Sequence, residues 1–183
     1  MKIKELMNNK TALEKTYNLY IKRKLIVKSI SDLSKAHIAK SDINMEFVAF
    51  LLEGNKFFDW CVVGLYYSVY HAALALLSKS GFSSKDHNAT LCFLIENFSE
   101  ISKEEIELIE NLQISKEDVE FYSGLKEERQ KASYSTSLLF NKEKVQDLRE
   151  MTIALINKIK LIIEFGANKI KEKSLQSIFK LKK

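Results

Sequence analysis

The sequence predicts an all-α protein. Apolar residues recur at three- and four-residue spacing through most of the chain, which is the period of one helix face. Proline is absent and glycine occurs only 5 times in 183 residues, so the tight turns that sandwiches and barrels require lack their usual residues. Hydroxyl and carboxylate residues three positions apart precede several of the apolar runs, the spacing of a capping box.

The elements follow in order. A first helix is expected over about residues 10–38, with a break near Ser29–Ser31 and Leu13, Tyr17, Tyr20, Leu25 and Leu33 facing inward. A second runs from Ser41 as N-cap through Phe47, Phe50, Leu51 and Leu52 to Gly54, which suits the position after a helix because glycine takes positive φ without steric cost. The third, about 56–79, is apolar nearly all round and therefore central, and Gly81 ends it. Ser83 with Asp86, Ser102 with Glu105 and Ser115 with Asp118 then mark helices over about 85–98, 103–111 and 116–135, the last bent at Gly124. A final long helix follows Asn141, with Val145, Leu148, Met151, Ile153, Leu155, Ile156, Ile159 and Ile163 on its apolar side. Beyond Gly166 the chain is basic and amphipathic, either an extra helix that docks on a partner or a frayed tail.

With 183 residues and 46% apolar content the chain is of single-domain size and can bury a continuous core. Cys61 and Cys92 lie far apart with no CxxC spacing, and the three histidines, His37, His71 and His87, form no i, i+4 pair. Neither a disulfide framework nor a metal site is expected, and a reducing cytoplasm is the expected compartment. The net charge of +5 is unevenly spread: residues 1–30 and 157–183 each carry +6 and the body carries −7. Basic ends are either solvated helix faces or an electrostatic footprint for nucleic acid. The N-terminus has no uninterrupted apolar segment of the signal-peptide kind. The apolar run Phe57–Leu77 carries Asp59, Gly64, Ser68, His71 and three tyrosines, a polar load ill suited to lipid, so no membrane is expected.

Two constellations could carry chemistry. The central helix bears Trp60, Tyr66, Tyr67, Tyr70 and His71, followed by Lys85 and His87 beyond the turn at Gly81. Tyr66 and Tyr70 are i, i+4 neighbours, as are Tyr67 and His71, so two polar rows run down adjacent faces. They are either satisfied core groups or the lining of a cleft. The second constellation is Arg129 to Tyr134, where a guanidinium can clamp a phosphate bidentately and a phenol can donate to it or stack on a base. Five residues on a regular helix turn about 140° around the axis, so both point into one cleft only if the helix ends or distorts between them.

The run YYSVYHAALALLSKSGFSSKDH, residues 66–87, closely resembles the signature of small HEPN domains. Tyr66, Tyr67, Tyr70, His71, Ala72, Ala73, Ala75, Leu76 and Leu77 fit a paired-tyrosine helix, and Gly81, Lys85 and His87 fit the glycine turn and K-x-H that follow. Arg129, Ala132, Ser133 and Tyr134 resemble the family's second motif, an arginine followed after a gap by histidine or, in one branch, tyrosine. The resemblance covers about residues 32–165, with basic extensions on either side. It implies an antiparallel bundle of four to five core helices with additional terminal helices, often a homodimer with two arginine motifs across one cleft.

The resemblance also implies function. Many members are metal-independent ribonucleases or toxins encoded beside a minimal nucleotidyltransferase, and others are inactive nucleotide- or RNA-binding modules. Arg129 and Tyr134 take the place of the catalytic pair, with Lys85, His87, Tyr67 and His71 as ligand-binding residues and no cofactor. Tyrosine replaces the motif histidine at position 134, and a phenol, ordinarily ionising near pH 10, is a poor general base beside an imidazole near 6.5. The resemblance therefore leaves open whether the chain is an enzyme. Three readings stand: an RNA- or nucleotide-binding HEPN protein working with a nucleotidyltransferase, a metal-independent endoribonuclease toxin, and a non-enzymatic assembly module.

Overall fold

The computed structural model describes residues 3–98, 116–135 and 140–166. Among them the chain forms α1 (Ile3–Asn8), α2 (Lys10–Lys22), β1 (Ile26–Lys28), α3 (Ser34–Glu53), α4 (Phe58–Lys79), β2 (Phe82–Ser84), α5 (His87–Phe98), α6 (Lys116–Tyr134) and α7 (Lys142–Leu161). A π-helical turn, Ile162–Gly166, continues α7. The fold is all-α, with one short antiparallel ribbon pairing Ile26 with Ser84, Val27 with Ser83 and Lys28 with Phe82.

Helix α4 is the axle. Its Val62, Leu65, Tyr66, Val69, Ala72 and Leu76 are fully buried, and α3, α6 and α7 pack along its length. By length and composition α4 could cross a membrane, but 83% of its apolar window is buried against neighbouring elements, the placement of a core helix.

Small residues let α3 and α4 approach closely. Gly64 faces Val48 so tightly that an added Cβ would stand 2.6 Å from Val48 Cγ2. One turn further on, the Ser41 hydroxyl donates to the Ser68 carbonyl at 2.8 Å and the Ser68 hydroxyl donates to the Ser41 carbonyl at 2.6 Å. The Ser78 hydroxyl, near the end of α4, accepts from the Leu33 N–H at 2.7 Å. These contacts join rising positions on α3 to falling positions on α4, so the two helices are antiparallel. Lys160 on α7 reaches Asp42 on α3 at 2.8 Å, and Lys158 pairs with Asp118 on α6.

Several expectations are corrected. The first helix does not run to residue 38: α2 ends at Lys22, and Lys24 takes φ 57 so that the Lys24 and Leu25 N–H groups return to Ile21 and Tyr20. That is a Schellman closure, followed by β1 and a loop. The next helix starts at Ser34, and Ser41 is no cap but a buried mid-helix residue exchanging hydrogen bonds with Ser68. Leu33, Phe47 and Phe50 are exposed, whereas Val48 and Leu51 face the core. Gly54 stays right-handed; Asn55 takes the left-handed position, φ 51, and closes the helix by the same motif. Gly81 does adopt positive φ, 83°, at the turn into β2.

Ser83 lies in β2, and the cap of α5 is Asp86, whose carboxylate accepts from the Ala89 N–H at 2.7 Å. Asn141 caps α7 as expected, accepting from the Lys144 N–H at 3.0 Å, but Met151 is exposed. Helix α6 runs unbroken through Gly124 to Tyr134. The Ser102–Glu105 pair, its helix over 103–111, Ser115 and the tail beyond Gly166 lie outside the described residues.

Candidate functional site

The antiparallel packing of α6 on α4, closed by the first turn of α5, gathers aromatic and cationic side chains in one place. On α6, Tyr122, Lys126 and Arg129 are spaced by four and three residues and so share a face. That face meets the Tyr66, Tyr67 and Tyr70 row of α4. The guanidinium of Arg129 lies 5.0 Å from the Tyr66 ring centroid and 5.8 Å from that of Tyr67, a cation–π seat on two rings. Its Nε is buried without a hydrogen-bond partner, and among the described residues no carboxylate forms an ion pair with it.

His87, the first residue of α5, completes the cluster. Its Nδ1 meets the Tyr66 hydroxyl at 2.5 Å, and its ring centroid lies 4.1 Å from that of Tyr70, the planes tilted by 37°. Burial, with Arg129 and Lys126 adding to it, depresses the His87 pKa against the opposing pull of Asp86, so the imidazole is neutral at pH 7. Burial also drives the Tyr66 phenol far above its ordinary range, with Arg129 opposing, so that partner is neutral too. Either neutral group can donate in this bond, and the choice decides whether His87 Nε2 carries a proton or a lone pair. Lys126 binds Asn88 Oδ1 at 2.5 Å, and burial lowers its pKa. Tyr122 is fully buried under Tyr66, its ring 6.1 Å away and its hydroxyl unpartnered.

The candidate residues are thus sorted. Arg129, Tyr67 and His87 come together around Tyr66. Lys85 is exposed on the turn before α5. His71 faces the other way, to α3, where its Nδ1 lies 3.2 Å from that of His37; burial and the charges of His37 and Lys40 lower its pKa to about 4. Tyr134 is 79% exposed on the last turn of an undistorted α6, so it does not share the direction of Arg129. Lys126, Tyr122 and Asn88 were not singled out from the sequence, although the 122, 126, 129 spacing carried the signal for the first two.

Between the end of α6 and the start of α4, where Ala132 and Ser133 stand one turn on from Arg129, opens a cleft of about 650 Å³. Val63 and Ala132 line it, as does Trp60, which is 60% exposed. No group of three or more metal-ligating side chains occurs among the described residues.

Helices α4, α5 and α6 thus bring together the tyrosine pair, the histidine and the arginine of the two sequence motifs. The HEPN domain family model matches residues 34–165, and the chain belongs to that family. No curated protein matches it closely enough to count as a relative.

Proposed function

We propose that the protein binds RNA or nucleotides through Arg129, as the HEPN partner of a minimal nucleotidyltransferase in a toxin–antitoxin-like or defence pair in the cytoplasm. The observation that carries this reading is the guanidinium of Arg129, fixed on Tyr66 and Tyr67 with a buried, unpartnered Nε and no ion-paired carboxylate. A pre-ordered guanidinium loses little freedom on meeting a phosphate, and Lys126 one turn away adds charge. A homodimer would set two such clusters across one cleft.

A second reading, a metal-independent endoribonuclease, is favoured by the His87 imidazole, neutral at pH 7 and tied to Tyr66 beside Arg129. With Nδ1–H donating to Tyr66, a bare Nε2 could take the proton of a ribose 2′-hydroxyl as it attacks phosphorus, while Arg129 stabilises the phosphorane.

Both are tested with a labelled total-RNA pool in chelator. Arg129→Ala is expected to weaken RNA retention about 10- to 100-fold, the worth of one charge-assisted contact, and to lower the salt slope by about one. Equal retention by the mutant refutes the Arg129 site. Products ending in 2′,3′-cyclic phosphate in the wild type only would establish the ribonuclease; intact RNA held by the wild type would establish the binding protein.

A further inference from the structure

The cleft beside Arg129 has a chemistry of its own. Phe57, Trp60 and Phe140 supply aromatic surface, while Asp59, Ser133 and Lys56 are its polar groups. Its volume lies in the range of small-molecule sites, and its lining of aromatic walls with a few polar groups is what a flat heterocycle needs. Asp59 Oδ1 is buried and has no hydrogen-bond partner among the described residues. A buried acceptor without a donor is costly; no hydrogen bond holds that oxygen, so the carboxylate can turn into the cleft that Asp59 lines, where a ligand supplies the donors.

Position relative to Arg129 narrows the ligand further. Asp59 and Trp60 precede Tyr66 and Tyr67 by seven residues on the same helix, about 10 Å along its axis. Ser133 lies one turn beyond Arg129 on α6. A phosphate on Arg129 therefore leaves the cleft at the reach of the same nucleotide's base. An acceptor-only carboxylate selects a base edge that is all donor. Guanine, with N1–H and N2–H side by side, offers two donors to one carboxylate, whereas adenine, cytosine and uracil offer a single donor group beside acceptors.

We propose that this cleft is a guanine-binding subsite, with Trp60 stacking on the base and Asp59 accepting from its N1–H and N2–H, so that the protein prefers guanine at the nucleotide whose phosphate Arg129 holds. The proposal rests on the Arg129 reading and adds base identity to it.

Trp60 is the sole tryptophan of the chain, so its emission reports on this cleft alone. Titration with GMP is expected to quench Trp60 at concentrations about 10-fold or more below those needed for AMP, CMP or UMP, the usual worth of one bidentate base contact. IMP, which keeps N1–H and lacks the N2 amine, is expected to fall back toward AMP. Asp59→Asn should lose the preference for GMP over IMP at unchanged circular dichroism. The GMP–IMP comparison on the wild type needs no variant and decides the matter if Asp59→Asn fails to fold. Equal response to all nucleotides, or no quenching while RNA retention still depends on Arg129, overturns the guanine subsite and leaves the Arg129 reading standing. Guanine-selective quenching that is unchanged in Arg129→Ala supports the cleft and refutes the arginine as its phosphate anchor. Absence of both RNA retention and quenching refutes both.

Discussion

Gly64→Ala tests the packing that fixes the tyrosine row in place. The new methyl would stand 2.6 Å from Val48 Cγ2, about 1 Å inside an ordinary carbon–carbon contact of roughly 3.5–4.0 Å. Val48 cannot yield cheaply, because it is fully buried and a β-branched side chain in a helix has essentially one χ1 well. Relief must come from moving α3 off α4, which stretches the Ser41–Ser68 exchange on the next turn. Overpacking of this kind costs about 1–3 kcal/mol. Replacing glycine by alanine within a helix returns about 1 kcal/mol, so the expected net effect is a loss of about 0–2 kcal/mol. Urea unfolding followed by circular dichroism measures it. Val48→Ala alone is expected to lose about 2 kcal/mol, two buried methyl groups at roughly 0.8 kcal/mol each plus a small cavity term. In the double variant the alanine methyl occupies vacated space, so Gly64→Ala should cost nothing in that background or should stabilise. A single Gly64→Ala variant that gains about 1 kcal/mol would show that propensity acts unopposed, and would refute the close α3–α4 approach.

Two further outcomes are expected. Tyr66→Phe removes the hydroxyl that meets His87 Nδ1 and keeps the ring under Arg129, so stability should fall by about 1 kcal/mol in urea unfolding while RNA retention holds. Retention lost to the same degree as in Arg129→Ala would show instead that the hydroxyl itself binds RNA. The His37–His71 pair makes stability depend on acid: the folded pKa of His71 is about 4 against an ordinary 6.5, so the unfolded chain takes the proton first. The contribution is complete above about pH 6.5 and is lost as pH falls toward 4. His71→Gln should flatten the stability profile in that window; an unchanged profile refutes the assignment.

The general architecture was legible in the amino-acid pattern because it rests on local chemistry. The apolar period, the absence of proline, the encirclement of α4 by apolar residues and the Asn141 cap are each decided within a few residues of chain. The paired-tyrosine helix, the K-x-H and the later arginine could likewise be picked out by order and spacing, and the family match over residues 34–165 agrees with them. What failed locally failed for long-range reasons. Ser41 reads as a cap until Ser68, 27 residues away, supplies partners that let a serine sit buried in mid-helix. Ile26–Lys28 reads as helix until Phe82–Ser84 offers it a strand to pair with.

The same division runs through the site. The sequence by itself determined which chemistry-bearing residues exist and that Tyr66 and Tyr70 share a helix row, since a helix repeats every 3.6 residues whatever surrounds it. Only the tertiary structure decided their company: His87 with Tyr66, His71 with His37, Arg129 over two tyrosine rings, Tyr134 outside the cluster, and Asp59 in a cleft without a donor. Partnership between separate helices is set by their rotation and axial offset in the bundle. Those follow from side-chain packing summed over all the interfaces, and no short stretch of sequence contains that sum.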